Sequence, residues 1–380
     1  MSFPVVGMVG AGQLARMTVP PAEALGVHLR LLADTLDDSA AQVVRDPVVG
    51  DYRDLATLID FARGCDVVTF DHEHVPTHHL HALVESGVAV HPGPEALVHA
   101  QDKGVMRERL EKIGVAVPAW RRVTNAADVA AFVADGHPFP VVLKATRGGY
   151  DGKGVWVVND LDEAGWVLSH DAVPGFLVEE RVAFTRELAA LVARSPSGQA
   201  VAYPVVETVQ VDGICREVYA PAPGLSDEHA VEAQRMALQV ADSLGVVGVM
   251  AVEMFDTPDA VRVNELAMRP HNSGHWTIDG AVTSQFENHL RAVLDLPLGD
   301  PSPRDGLTVM VNVLGGDLPE LYPAYRHLMA RDPGLRVHVY GKQVRPGRKV
   351  GHVTVCGDDL DDLLERGRHA AAYLRGDIDE

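Results

Sequence analysis

The stretch Glu253-Met254-Phe255-Asp256-Thr257-Pro258-Asp259-Ala260-Val261-Arg262-Val263-Asn264-Glu265-Leu266 runs directly into Ala267-Met268-Arg269-Pro270-His271-Asn272-Ser273-Gly274-His275. Two apolar, β-branched runs, Val249 to Phe255 and Ala260 to Leu266, flank a turn-forming tetrad, so the stretch reads as a β-hairpin. Glu253 and Glu265 are symmetric about Asp259. Pairing about that residue sets the two carboxylates opposite each other, roughly 5 Å apart at Cβ, where like charges destabilise one another unless a cation lies between them. Magnesium takes only one or two protein carboxylates and leaves the rest of its shell to water and phosphate oxygens. A solvated hairpin with two exposed acids fits the spacing equally well. The tract after Glu265 adds an amide, a guanidinium and two imidazoles, which are groups suited to binding phosphate.

Outward from this hairpin the 380-residue chain divides into three regions. Residues 4 to about 100 alternate strand runs (Val5 to Val9, His28 to Ala33, Asp66 to Phe70) with helical patterns (Leu14 to Leu25, Leu55 to Arg63, His78 to Glu85), which predicts a βαβ domain on a parallel sheet. Residues about 101 to 298 open with a predicted helix, Gln101 to Ile113. They carry strands at Pro140 to Ala145, Val155 to Val158, Phe176 to Glu180 and Glu187 to Arg194, and a capped helix from Ser226 to Leu244. Beyond the punctuation of Pro297, Pro301 and Pro303, residues about 299 to 380 carry strands such as Leu307 to Leu314 and Arg336 to Tyr340 and an acidic helical tail.

A formal charge of −20 argues against nucleic acid as a partner. Three widely spaced cysteines indicate neither a disulfide framework nor a zinc site. With no basic leader and no apolar run near the roughly 20 residues of a membrane span, a soluble cytoplasmic protein is expected. Of 33 basic residues only six are lysines: Lys103, Lys112, Lys144, Lys153, Lys342 and Lys349. Lysines in such a chain mark positions worth testing for a role.

Four further features bear on function. Gly10-Ala11-Gly12-Gln13-Leu14-Ala15 follows a strand and opens a helix, with Asp34 closing the next strand. This fits a dinucleotide fingerprint, and equally any βαβ turn that presents a helix N-terminus to an anion. Lys144-Ala145-Thr146-Arg147-Gly148-Gly149-Tyr150-Asp151-Gly152-Lys153-Gly154 is a strand-borne lysine followed by a glycine loop able to fold over phosphates, or a flexible hairpin turn. His72, His74, His78, His79 and His81 cluster, but Pro76 interrupts the spacing and no H-E-x-x-H word is present. Arg345-Pro346-Gly347-Arg348-Lys349 is a cationic turn that could capture a phosphate.

In this order, the Gly10 turn, the Lys144 loop, Glu253 and the Asn264 to His275 tract resemble the ATP-grasp superfamily, and within it the 5-(carboxyamino)imidazole ribonucleotide synthetases of purine biosynthesis. The likeness runs nearly end to end. It also rests on Gly12-Gln13-Leu14-Ala15-Arg16-Met17, Gln101-Asp102-Lys103, Arg269 to Trp276, Thr283-Ser284-Gln285-Phe286-Glu287 and Arg345 to Lys349. It implies an ATP-grasp fold of mixed α/β and α+β type, with an N-terminal Rossmann-like pre-ATP-grasp domain (1–100), an ATP-grasp domain (101–298, its lid about 120–183) and a small C-terminal β-rich domain (299–380).

The resemblance implies ATP-dependent carboxylation of 5-aminoimidazole ribonucleotide by bicarbonate through carboxyphosphate. ATP contacts would fall to Lys103, Lys144, the loop Gly148, Gly149, Tyr150, Asp151, Gly152, Lys153 and Gly154, the hinge Glu179, Glu180, Arg181 and Val182, and Glu187 for the ribose. Asn264 would sit beside Glu253 and Glu265, the implied magnesium ligands. Arg269, His271 and Asn272 would bind bicarbonate and stabilise carboxyphosphate. Gln13, Leu14, Glu73, Tyr150, Asp151, Arg269, Lys342 and Arg348 would hold the ribonucleotide.

Where the family commonly has a histidine after Glu207, this chain offers Gln210. Family members are typically dimers, and hand-off of product to a mutase is implied as a partnership. A formate-using transformylase, a biotin carboxylase, a nicotinamide oxidoreductase and a non-catalytic nucleotide scaffold are the rival readings.

Overall fold

Residues 3–149, 152–304 and 306–379 are described by a computed structural model. Tyr150 and Asp151, both expected at the site, lie outside the described residues. The N-terminal region forms a four-stranded parallel sheet in the order Val48–Val49, His28–Ala33, Val5–Val9, Val67–Phe70. Val67–Phe70 is buried throughout, as expected of parallel strands covered on both faces. One covering element comes from elsewhere in the chain: Leu290 and Val293 of the helix Gln285–Val293 pack with Val6, Met8 and Leu31. From the same helix, buried His289 bonds Thr69 Oγ1 through Nε2 at 2.8 Å and accepts the Val249 N–H on Nδ1 at 3.1 Å. Burial holds this imidazole neutral, with its pKa down to about 3. It therefore pins the first sheet to the hairpin strand Gly248–Asp256 by hydrogen bonds alone.

The helix predicted from Gln101 to Ile113 is present but opens two residues later, at Lys103. Pro94–Gln101 and Lys103–Lys112 are separate helices joined at Asp102, whose backbone is extended. The carboxylate of Asp102 accepts from the N–H groups of Gly104 and Val105 at 3.0 and 3.1 Å, capping the second helix. This cap is why the second helix opens at Lys103 and not at Gln101.

Two antiparallel sheets follow. The smaller has the order Trp120–Val123, Phe176–Glu180, Val141–Ala145, Val155–Val158, with helices Ala126–Ala134 and Leu161–His170 on one face. The larger has nine strands and runs Val261–Ala267, Gly248–Asp256, Arg186–Arg194, Val206–Val211, Ile214–Ala220, Leu307–Leu314, Lys349–Gly357, Arg336–Val339, with Ala200–Ala202 beside Arg186–Arg194. The last three of these strands on the main path come from beyond residue 300, so one sheet spans the sequence's second and third regions. The final helix, Leu360–Arg375, is tied across by Arg368, which grips both oxygens of Glu217 at 2.7 and 2.8 Å. Among the described residues no helix is long and apolar enough to cross a membrane.

Candidate active site

The hairpin pairs Glu253 with Glu265, as the symmetry of the sequence predicts, but the route differs. The turn is closed between Thr257 and Ala260, whose backbone groups bond at 3.0 Å. Its centre therefore lies between Pro258 and Asp259, and simple pairing would set Glu253 against Asn264. A bulge intervenes: Met254 pairs with Val263 and Glu253 with Glu265, leaving Asn264 as the extra residue. In a regular strand consecutive side chains alternate faces. Here both Asn264 and Glu265 line one cleft.

That cleft, about 1400 Å³, lies where the three sheets meet. Lys103 Nζ bonds Glu265 Oε1, and His271 Nε2 lies 3.0 Å from Glu253 Oε1. Each acid of the pair thus has its own cationic or protonatable neighbour. Burial pushes the Glu253 carboxyl up, but the His271 hydrogen bond and the charges of His271, Lys103 and Arg269 outweigh this and hold it below its ordinary range. Two facing carboxylates opening on a cleft suit magnesium, which needs few protein ligands when phosphates supply others. Among the described residues no group of three His, Cys, Asp or Glu side chains is arranged to hold a metal by itself.

Lys144 bonds Asn264 Oδ1 at 2.9 Å and Glu179 Oε2 at 2.6 Å. Arg107 takes the other Glu179 oxygen at 2.7 Å and the Val263 carbonyl at 3.0 Å. Burial alone would raise the Glu179 carboxyl; the charges and hydrogen bonds of Lys144 and Arg107 prevail and hold it down to about 2. Glu179, expected as a hinge residue, also fixes the direction of Lys144. Arg107 was missed: two arginines, Arg107 and Arg109, stand between Met106 and Leu110, and only the fold shows that Arg107 is the fully buried one. Glu187 sits on the strand beside Glu253, and burial together with that neighbouring charge pushes its carboxyl up to about 7.

Gly148, Gly149 and Gly152, the hinge residues Glu180, Arg181 and Val182, and Gln210 also line the cleft. Lys153 and Gly154 are described but do not line it. The Gly154 carbonyl instead accepts the Ala145 N–H at 2.8 Å at the base of the loop.

Arg269 donates from Nε to Glu73 Oε2 at 2.8 Å, while Glu73 Oε1 accepts the Met268 N–H at 3.1 Å. Asn272 exchanges amide bonds with Asn312, at 3.1 and 2.7 Å. Gln13 and Leu14 line the cleft, and Gln13 Oε1 accepts from Lys342 Nζ. The loop bearing Lys342 is seated by Ser39 Oγ on the Tyr340 carbonyl and Gln42 Nε2 on the Gly341 carbonyl. Arg348 departs from expectation. It is exposed, bonds the Gln343 carbonyl at 3.3 Å and does not line the cleft, whereas the adjacent Lys349 does. Successive residues of an extended segment face opposite ways, so only one of the two could reach inward.

The glycine turn carries the largest surprise. Asp71 is buried beneath it, and its Oδ2 accepts the Gly12 N–H at 2.5 Å. A Cβ on Gly10 would meet Asp71 Oδ1 at 1.8 Å, and one on Gly12 would meet Oδ2 at 2.7 Å. These glycines make room for the protein's own carboxylate at the helix N-terminus, the position a dinucleotide pyrophosphate would need. Of the histidine cluster, His72 and His74 stack at 5.3 Å along the cleft wall, and burial lowers the His72 pKa to about 4.

This architecture, a cleft between two antiparallel sheets with lysines and paired acids beneath a glycine loop, is that of the ATP-grasp enzymes. Residues 108–286 match the ATP-grasp domain, residues 3–101 the ribonucleotide synthetase preATP-grasp domain, and residues 308–366 the phosphoribosylaminoimidazole carboxylase C-terminal domain. The N5-carboxyaminoimidazole ribonucleotide synthase of Mycobacterium bovis is 56% identical over 377 residues, covering 98% of this chain and 88% of that protein. The crystal structure of the Thermus thermophilus synthetase superposes with a TM-score of 0.88 at 37% identity, over 99% of both chains. That of the Aspergillus clavatus synthase, in complex with ADP and 5-aminoimidazole ribonucleotide, gives 0.90 at 32% identity over 99% and 100%. The chain belongs to the N5-carboxyaminoimidazole ribonucleotide synthase family.

Proposed function

We propose that this chain carboxylates 5-aminoimidazole ribonucleotide with bicarbonate at the expense of ATP, giving N5-carboxyaminoimidazole ribonucleotide, ADP and phosphate in purine biosynthesis. The observation that carries the reading is the adjacency in one cleft of two sets of groups. Lys103, Lys144 and the Glu253–Glu265 pair form one set, and Arg269, His271 and Asn272 the other.

ATP occupies the side of the cleft between the glycine loop and the hinge, with Lys103 and Lys144 on its phosphates, Glu187 on the ribose and Gln210 nearby. Glu253 and Glu265, with Asn264 beside them, would hold magnesium, which would supply positive charge against the phosphate oxygens. Bicarbonate binds to Arg269, His271 and Asn272. Its oxygen attacks the γ-phosphorus, the bond to the β-phosphate oxygen breaks, and carboxyphosphate and ADP result. Arg269 offsets the charge that gathers on carboxyphosphate. The exocyclic amine of the ribonucleotide, held by Gln13, Leu14, Glu73, Lys342 and the Tyr150–Asp151 segment, then takes the carboxyl group and phosphate leaves. Glu73, bonded to Arg269, lies where the two substrates meet.

We extend the proposal to the division of the chain near residues 100 and 298, a homodimer, a cytoplasmic location and transfer of the product to a mutase. Sedimentation tests the dimer. The nicotinamide alternative is disfavoured because Asp71 already takes the Gly12 N–H. The reaction is tested by phosphate release from ATP with bicarbonate and ribonucleotide each omitted in turn. Release indifferent to the ribonucleotide would overturn it.

A further inference from the structure

Three consecutive residues, Gln101, Asp102 and Lys103, reach three different walls of the cleft. Lys103 bonds Glu265, and Asp102 accepts from Arg147 Nε at 2.9 Å at the foot of the glycine loop. Gln101 turns the other way. Its amide nitrogen donates to two backbone carbonyls, Glu73 at 2.9 Å and Val75 at 2.8 Å, and its oxygen accepts the Thr77 hydroxyl at 2.8 Å. Both donors and the acceptor of the carboxamide are engaged, and the two carbonyls, which can only accept, fix which end is which.

The segment so held, residues 71–76, is neither helix nor strand. Irregular backbone depends on such side-chain bonds for its shape. It carries Glu73, whose two oxygens are committed to the Met268 N–H and to Arg269 Nε. A continuous path of two hydrogen bonds, joined through the covalent frame of Glu73, therefore leads from Gln101 through the Glu73 backbone and carboxylate to the Arg269 guanidinium. No link of it passes through the nucleotide side of the cleft.

We infer that Gln101 is a positioning residue for the carboxylation half of the reaction: it holds Glu73, and through it Arg269, in the place where bicarbonate and the ribonucleotide meet. This rests on the function proposed above. A glutamate at this position has the same reach but no donor for either carbonyl, and its charge faces two carbonyl oxygens. A methionine has neither charge nor donor.

The test is steady-state kinetics of Gln101→Glu and Gln101→Met, with the ADP dissociation constant measured in parallel by calorimetry. The expected result is a rise in the ribonucleotide or bicarbonate KM, or a fall in kcat, of at least about tenfold, the scale on which stranding buried polar groups acts. ADP affinity should stay within about twofold, because Lys103, Lys144 and Glu179 keep their own partners. Thr77→Val, which removes only the hydroxyl bonded to the amide oxygen, should move the same parameter less. Wild-type kinetics in both Gln101 variants would overturn the inference, as would ADP affinity falling in step with turnover. If wild-type protein itself releases phosphate without regard to the ribonucleotide, the proposed function fails, which is a separate result from either of these.

Discussion

A carboxylate oxygen of Asp71 lies 2.5 Å from the backbone nitrogen of Gly12, at the mouth of the helix Gln13–Leu25. Burial raises this carboxyl to about 6, against the opposing pull of the Gly12 hydrogen bond and of Arg269 and Lys342. Its folded pKa is above the ordinary 3.8, so the native state holds its proton more tightly. This group's share of the stability therefore grows as pH falls through about 6 toward 3.8. Asp71→Asn keeps an acceptor for Gly12 and removes the buried charge. It should unfold at an equal or higher temperature than wild type at alkaline pH, an advantage that disappears well below the folded pKa. A melting series over pH checks this, and a lower midpoint throughout would show that the charge stabilises the turn.

Glu179 presents the opposite sign. Its pKa lies near 2 in the fold against an ordinary 4.5, so its contribution is complete above 4.5 and is lost as pH falls toward 2. Glu179→Gln leaves Lys144 and Arg107 buried without their shared counter-charge, at a cost of about 3–5 kcal/mol. Urea denaturation near neutral pH measures this directly. A wild-type midpoint would mean that the two cations find other partners.

Glu187 titrates at about 7. If ribose hydroxyls donate to it, binding favours the ionised form and expels a proton. ADP affinity should then rise with pH through neutrality, by at most about tenfold per unit. Glu187→Gln should flatten that dependence. Calorimetry in two buffers of different ionisation enthalpy reads both the affinity and the proton, and an unchanged slope in the variant would exclude Glu187.

Glu265→Gln tests the metal pair. Glu265 and Lys103 meet at the cleft surface, where such a pair contributes about 0–1 kcal/mol, so the melting temperature should barely move. Turnover should fall by at least about two orders of magnitude, since a metal ligand serves the transition state more than the fold. Near-normal rates at saturating magnesium would remove Glu265 from the metal site.

The facing of Glu253 and Glu265 was legible because a hairpin's register is set by its turn and its apolar pattern. What was not legible is that the turn is centred half a residue away and that a bulge at Asn264 restores the register. Nothing in the local residue types says which strand carries the extra residue. Ser226 could be read as a cap because capping is local; its Oγ accepts the His229 N–H at 3.2 Å. Asp71 and Arg107 escaped notice because their partners, Gly12 and Glu179, are 59 and 72 positions away and are met only once the sheets assemble. Arg348 and Lys349 could not be told apart by charge; only the facing of one short segment separates them.

The strand Leu307–Leu314 covers the open side of Ile214–Ala220, and the strand beyond it covers Leu307–Leu314 in turn. A chain cut near residue 300 would still contain every paired acid and glycine-loop residue of the nucleotide half. It would also bare the N–H and C=O groups of Ile214–Ala220 to any neighbouring molecule, and an uncapped edge of this kind invites chain-to-chain pairing and aggregation. The last fifth of the sequence thus moves the sheet's edge from Ile214–Ala220 to the short strand Arg336–Val339.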